Sequence, residues 1–323
     1  MSDTKYTYAV ARIRALELSL FSAATIEQLL ACKSYEAALQ FLEERGWGDG
    51  ETRGDLEAML SREEEKTWET IRELKVDMRL FDVLSYPHLF HNLKAAVKEF
   101  CTGESQAQLY YEDCALGREE LLTILQDKDY SALPESMWEP AREACETLLR
   151  TRDGQLCDVI IDRGALLAIR QAGRQAEDAI LKNYAESTVA VADIRIAVRC
   201  QKTGKSLDFV KNALAPCDTL DMQRLALAAV SGLEAICQYL QDAGYGEAAE
   251  AIKESSSAFE RWCDNRIVHT IQPEKYHPFS IGPLVAYVLA RENEIKTVRI
   301  ILTGRLNGLA EEAIRERVRE MYV

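Results

Sequence analysis

IGPLVAYVLARENEIKTVRIILTGR, residues 281–305, decides the fold class. Pro283 suits a first helical turn, where its missing N–H costs nothing, and Gly304 suits the end. Between them Val288, Arg291, Ile295, Val298 and Leu302 recur at three- and four-residue steps and share one face. Glu292, Lys296 and Arg299 share another. Glu292 precedes Lys296 by one helical turn, the order that favours an ion pair along a helix. Spacing alone predicts a packed helix that carries an ion-pair network.

The same period runs through most of the chain. Tyr6, Ala9, Val10, Ile13, Leu16 and Leu20 form an apolar stripe at the start, with Arg12, Arg14 and Glu17 off it. Ser22 and Ser34 offer N-caps for helices over 23–31 and 35–45, and Gly46 and Gly48 stop the second. The segment from Glu51 to Lys75 is polar. Its run Arg62-Glu63-Glu64-Glu65-Lys66 reads as the solvated face of a helix. Further helices are expected over 117–126, 135–150, 162–182, 185–201, 218–242, 245–267, 283–303 and 309–321. Val159-Ile160-Ile161 is the one strand-like run, too short to build a sheet. Weak punctuation falls at 102–106, at Gly204 and between Pro273 and Pro283, and none of it has the composition of a flexible linker. The expectation is an all-α body with internal subdivisions.

An internal repeat is visible at a spacing of 198 residues. Glu36-Ala37 recurs as Glu234-Ala235, Leu42 as Leu240, Gly46 as Gly244, Trp47 as Tyr245 and Gly48 as Gly246. Each copy reads as a helix ended by glycine, an aromatic ring and glycine, with the ring folded back on the last turn. A spacing this wide points to duplicated helical subdomains and not to a solenoid of short units. Glu120-Leu121-Leu122 to Tyr130-Ser131-Ala132-Leu133 reads as a third, more diverged copy.

Composition narrows the function classes. The 323 residues amount to about two domains and are ample for a sizeable core. With 39 Lys and Arg against 53 Asp and Glu, the net charge is −14, a poor field for attracting nucleic acid or anionic lipid. Only 7 prolines and 16 glycines interrupt the chain, too few for a turn-rich β fold or a long disordered tail. The nine cysteines are odd in number, evenly spread and never in C-x-x-C pairs, the pattern of reduced, mostly buried thiols. Met1-Ser2-Asp3-Thr4-Lys5 lacks the apolar stretch of a leader. No apolar run reaches the roughly 18 residues a membrane-spanning helix needs, so any membrane association is expected to come through a protein partner.

Candidate chemistry is thin. Gly204-Lys205-Ser206 has the tail of a phosphate-binding loop, but Arg199 stands where that loop needs its first glycine, and the preceding residues read as helix instead of strand. Gly204 is therefore expected to be a helix stop. His88 and His91, just after Pro87, face one way on what reads as a first helical turn, a spacing that two metal ligands can share, with Asp82 and Glu99 the nearest carboxylates. Surface or capping histidines are the plainer reading. Asp158 and Asp162, one turn apart around an apolar run, are expected to bond to backbone or to arginines. No nucleophile elbow and no His-Glu-x-x-His occurs. No catalytic residue, cofactor or metal ligand is assigned.

Four stretches together carry a family resemblance. Tyr8-Ala9-Val10-Ala11-Arg12-Ile13-Arg14-Ala15-Leu16-Glu17 is one, and Tyr35-Glu36-Ala37-Ala38-Leu39 running into Gly46-Trp47-Gly48 is the second. His91-Asn92-Leu93-Lys94 is the third, and Pro283 to Gly304, with its Glu-x-Glu-Ile-Lys and the arginine beyond, is the fourth. In their order and spacing the chain resembles the central-stalk coupler of rotary V-type ATPases, the C subunit of bacterial and archaeal enzymes and the d subunit of the eukaryotic vacuolar enzyme (the AC39-like family). Ile161-Asp162-Arg163 and Ala197-Val198-Arg199 extend the likeness across the chain, while the cysteine load and the weak middle copy depart from it.

The resemblance implies a single family domain over 1–323, a funnel-shaped body of three similar helical subdomains, here approximately 1–105, 106–204 and 205–323. It implies a non-catalytic part, one copy per complex, peripheral on the cytoplasmic side. Its mouth would take the central-shaft subunits and its base would rest on the membrane proteolipid ring. ATP hydrolysis or synthesis would thereby be linked to H⁺ or Na⁺ transport. It also implies a local structural role for His91. The faces bearing Arg12, Arg14 and Glu17 and bearing Glu292, Lys296 and Arg299 are then candidates either to join the first and last helices or to line the shaft socket. Intramolecular surface ion pairs, worth under about 1 kcal/mol each, are the plainer alternative. The competing functional readings are a general helical scaffold unrelated to rotary ATPases and an α-helical metal enzyme built on His88 and His91.

Overall fold

In a computed structural model, residues 6–105, 107–112 and 114–323 are described. The leader reading of Met1–Lys5, and the Gln106 end of the punctuation at 102–106, lie outside the described residues. Those residues form sixteen α-helices and no strand. They are α1 (Thr7–Glu17), α2 (Ala23–Leu30), α3 (Tyr35–Glu43), α4 (Leu56–Glu73), α5 (Asp82–Thr102), α6 (Arg118–Asp127), α7 (Glu135–Thr151) and α8 (Gly154–Gln175). After them come α9 (Ala179–Lys202), α10 (Leu207–Ala213), α11 (Met222–Ser231), α12 (Leu233–Asp242), α13 (Gly246–Glu254), α14 (Ser256–Ile271), α15 (Gly282–Leu306) and α16 (Glu311–Arg315). The fold is all-α.

Local chemistry starts and stops these helices. Ser22 and Ser34 accept from the N–H groups of Thr25 and Ala37 at 3.3 and 3.1 Å, capping α2 and α3. Asp55, Asp153, Ser206, Asp221 and Ser255 do the same for α4, α8, α10, α11 and α14. Gly46, at φ +80°, takes the left-handed turn that ends α3, a conformation costly for a residue with a Cβ.

The chain divides into two compact units. Unit 1 is residues 1–78, 177–184 and 245–323, and unit 2 is residues 79–176 and 185–244. In unit 1, α15 runs through the middle of a cluster drawn from both ends of the chain. Every residue from Gly282 to Arg291 is buried, and α1, α3, α4, α14 and α16 pack around the helix. Ile295, Val298, Ile301 and Leu302 interleave with Leu42, Trp47, Met59 and Leu60. In unit 2, α5, α7 and α8 enclose a core that includes Phe90, Leu93, Met137, Cys157 and Ile161. Gly164 of α8 meets α7 at Pro140, where an added Cβ would stand 2.6 Å from the proline ring.

The repeat reaches further than its sequence signature. At the same 198-residue spacing α2 corresponds to α11, α3 to α12, α4 to α14 and α5 to α15. Gly244 repeats the left-handed stop at φ +84°, and Tyr245 is buried as Trp47 is. Gly48 and Gly246 differ: Gly48 is left-handed at φ +68°, whereas Gly246 begins α13. In the middle copy, α6, α7 and α8 follow the same order of a short helix and two long ones, and Lys128 at φ +56° occupies the left-handed position.

Several expectations are corrected. Val159-Ile160-Ile161 lies inside α8, because Asp153 caps the helix earlier than the 162 start. Pro87 is interior to α5, which begins at Asp82 instead of at the proline. Gly204 is the helix stop expected, at φ +62°, but Gly304 is not a stop. It lies within α15 with Ile314 packed against its Cα, and Gly308 at φ +66° makes the turn instead. The 218–242 helix breaks at Gly232 (φ +135°), and the 245–267 helix breaks at Ser255, an N-cap. The 309–321 helix shrinks to α16. The run Arg62 to Lys66 is not wholly solvated, since Glu63 is 5 % exposed.

Candidate functional site

The six charged residues singled out on α1 and α15 belong to unit 1, and the structure sorts them into spent and free charges. Arg14 holds both oxygens of Glu17 at 2.8 Å and donates to the carbonyl of Glu274 at 2.5 Å. Tyr322 donates to Glu17 at 3.5 Å. This pair therefore fastens α1 to the turn before α15 and to the C-terminal segment. Lys296 turns away from Glu292 and pairs with Asp264 of α14 at 2.7 Å, so the ion pair expected between Glu292 and Lys296 does not form. Asp264 attracts it more strongly because it is mostly buried and therefore less screened than exposed Glu292, strongly enough to hold Arg319 at 2.7 Å as well. Burial works to raise the Asp264 carboxyl, but Lys296 and Arg319 outweigh it and hold it below its usual range. Arg299 pairs with Glu57 of α4.

Two charges remain. Arg12 and Glu292 are exposed and make no hydrogen bond or ion pair among the described residues. Surrounding protein and the charge of Glu64 both push the Glu292 carboxyl above the usual range, an effect that its contact with solvent limits. Arg12 stands on an outer α1 face with Tyr8, which is 75 % exposed. Leu18, 89 % exposed, follows the end of that helix.

Beneath these faces lies a buried network that the sequence reading left unassembled. Arg291 of α15 donates to Glu294 at 3.0 Å and to Glu63 of α4, and its guanidinium lies 5.1 Å from the Trp47 ring. Glu63 also accepts from the Gly48 N–H at 2.9 Å and from Lys66 at 2.7 Å. Glu294 accepts from the Phe21 N–H at 3.1 Å. Burial raises the Glu294 carboxyl against the pull of Arg291 and that N–H. One signal was available: Arg291 falls on the apolar face of its helix, and a buried cation requires a buried carboxylate. The spacing gives no hint that the partner is 228 residues away.

The other singled-out residues have local duties. His88 stacks on Tyr111 at 3.9 Å, and His91 bonds the Leu109 carbonyl at 2.9 Å, giving His91 a local structural role. Buried Asn92 donates to the Tyr111 carbonyl at 2.9 Å and accepts its N–H at 2.8 Å. Asp158 and Asp162 pair with Lys98 and Lys94 of α5, each at 2.6 Å, instead of with arginines or backbone. Lys205 reaches Gln155 at 2.5 Å and Ser206 caps α10, so the Gly-Lys-Ser tripeptide is a helix stop, a surface contact and a cap. The described residues bring no three His, Cys, Asp or Glu side chains together as metal ligands. No described helix is long and apolar enough to cross a membrane.

Comparison with known proteins places this geometry. The family model described as ATP synthase (C/AC39) subunit matches residues 9–317. The chain is similar to the C subunit of the V-type sodium ATPase of Enterococcus hirae, with 25% identity over 318 residues that cover 96% of this chain and 97% of that protein. It is similar to the C subunit of the A-type ATP synthase of a Desulfurococcus species, with 24% identity across 98% of this chain and 92% of that one. The corresponding protein of Thermococcus kodakarensis is 22% identical across 98% and 91%.

Proposed function

The chain belongs to the ATP synthase (C/AC39) subunit family, and from that premise we propose that it is the non-catalytic central-stalk coupler of a rotary V/A-type ATPase. The family match across residues 9–317 carries the proposal, and it supports a subunit of the ATPase assembly directly. The finer reading is that the body is a funnel of three similar subdomains. It links the rotating central shaft to the proteolipid ring, one copy per complex, on the cytoplasmic side. ATP hydrolysis or synthesis is thereby coupled to H⁺ or Na⁺ movement. Approximate subdomain limits near 105 and 204 belong to the same reading.

The physical character of the chain suits that task. A torque-transmitting part needs stiffness more than chemistry. Close-packed helices resist deformation, and a net charge of −14 keeps such a part soluble before assembly. Of the six charged candidates, Arg14, Glu17, Lys296 and Arg299 are engaged within the chain. Arg12 and Glu292 are therefore the ones we assign to a partner surface.

Two experiments test this. A tagged chain is purified from gently solubilised membranes, and the companions are identified. Recovery of proteolipid, shaft and catalytic subunits in an assembly that hydrolyses ATP supports the coupler. Recovery of none of them favours a helical scaffold unrelated to rotary ATPases. Charge reversal then separates the faces. Arg299→Glu removes an exposed pair worth under about 1 kcal/mol and should leave stability nearly unchanged. Glu292→Lys breaks no pair, so a loss of shaft binding at unchanged melting temperature marks a contact residue. Normal binding by both variants removes this face from the socket.

A further inference from the structure

The linker between α10 and α11, residues 214–221, is tied down almost wholly by side chains of α8 and α9. Arg163 donates to the Leu214 carbonyl at 3.0 Å. Asp193 accepts from the Ala215 N–H at 3.0 Å. Glu186 accepts from the N–H groups of Asp218 and Thr219 and from the Thr219 hydroxyl, at 2.7 to 2.9 Å. Arg174 pairs with Asp218 at 2.9 Å, and the Tyr239 hydroxyl accepts from the Asp221 N–H at 2.6 Å. All of these residues belong to unit 2.

Asp193 is the odd member. Its residue is 0 % exposed, yet one carboxyl oxygen has no hydrogen-bond partner. The cation that faces it, Arg163, spends its Nε on Leu214. Glu186 on its own helix adds a repelling charge, and Cys217 on the linker, itself pushed up to about 11 by burial, stays a neutral thiol. An ionised Asp193 would thus be a buried charge that the Ala215 N–H and Arg163 offset only in part, and lifting the linker, whose Ala215 N–H bonds this carboxyl, would give it water.

We propose that residues 214–221 are a proton-operated latch, held shut by the protonated form of Asp193 and loosened when that carboxyl ionises. Burial pushes the Asp193 carboxyl up to about 8 with the latch shut. Exposed to water, it would return to about 4. Opening the latch between those values therefore releases a proton. Opening becomes easier as pH rises, and the dependence levels off above about pH 8.

Hydrogen exchange on the full chain tests this, with intrinsic rates divided out. The Ala215, Asp218 and Thr219 amides should lose protection about tenfold per pH unit from pH 5.5 to about 8, then flatten. Amides of the α8 core, such as Ile161 and Ile169, should not follow. Asp193→Asn keeps the acceptor for Ala215 but cannot ionise, and should abolish the slope. A flat wild-type profile, a slope shared by the α8 core, or a slope that survives Asp193→Asn overturns the proposal. Should Asp193→Asn not fold, the wild-type slope and its confinement to the linker decide alone.

Discussion

Replacing Arg291 with methionine removes the one cation shared by Glu63 and Glu294 while nearly preserving volume. The two carboxylates are not stranded equally. Glu63 keeps Lys66 at 2.7 Å and the Gly48 N–H at 2.9 Å. Glu294 is 0 % exposed and keeps only the Phe21 N–H at 3.1 Å. Breaking a buried pair from one side costs about 3–5 kcal/mol, and the partial rescue of Glu63 places this case at about 3–4 kcal/mol. Trp47, Trp68 and Trp262 belong to unit 1 and only Trp138 to unit 2, so urea unfolding followed by tryptophan fluorescence reports chiefly on the damaged unit. The sign of the pH dependence follows from Glu294. Its folded pKa already lies above the ordinary value, and losing Arg291 moves it higher. Stability in the variant is then best retained at low pH, where Glu294 is protonated, and is lost as pH rises. The penalty relative to wild type should be smaller at pH 5 than at pH 8, and adding Glu294→Gln should recover part of it. A loss under about 1 kcal/mol at pH 8, or one equal at both pH values, would refute the buried-charge account.

Two further substitutions probe unit 2. Gly164→Ala sets a Cβ 2.6 and 2.9 Å from two Pro140 ring carbons and 3.2 Å from the Phe90 ring. Overpacking against a rigid ring should cost about 1–3 kcal/mol despite the better helix propensity, and a melting temperature at or above wild type would sink that reasoning. Asn92→Ala removes both bonds to the Tyr111 backbone and the 3.5 Å bond to the Leu116 carbonyl, and should cost about 2 kcal/mol. Limited proteolysis should then cut faster between α5 and α6, and an unchanged rate there would show that Asn92 does not hold that segment.

What the sequence made legible was local. Ser22 and Ser34 announce α2 and α3 because an N-cap acts within three residues, and Gly46 announces the end of α3 because the left-handed turn excludes most side chains. Pro87 misled for the same reason that it usually informs: proline favours a first turn, yet α5 starts five residues earlier and carries it inside. Glycine misled in two ways. Gly232 breaks what reads as one long helix, whereas Gly304 ends nothing and instead makes room for Ile314. In each case the deciding neighbour is absent from the local window.

The charged faces show that limit most clearly. Glu292 and Lys296 satisfy the one-turn rule, but that rule describes a helix surrounded by water. On α15 the choice is made by Asp264, a mostly buried carboxylate on a neighbouring helix, and Lys296 follows the less screened charge. The run around Glu63 fails for the complementary reason: a carboxylate in a charged stretch is buried because Arg291 arrives from the far end of the chain. Both outcomes follow from α15 being enclosed by helices from both ends of the sequence. Enclosure turns a solvated ion pair worth under about 1 kcal/mol into a set of obligatory partners. Of the six candidate charges, Arg14 and Glu17 pair with each other on α1 and Lys296 and Arg299 pair with neighbouring helices, which leaves Arg12 and Glu292 as the ones for which no partner within the described chain competes.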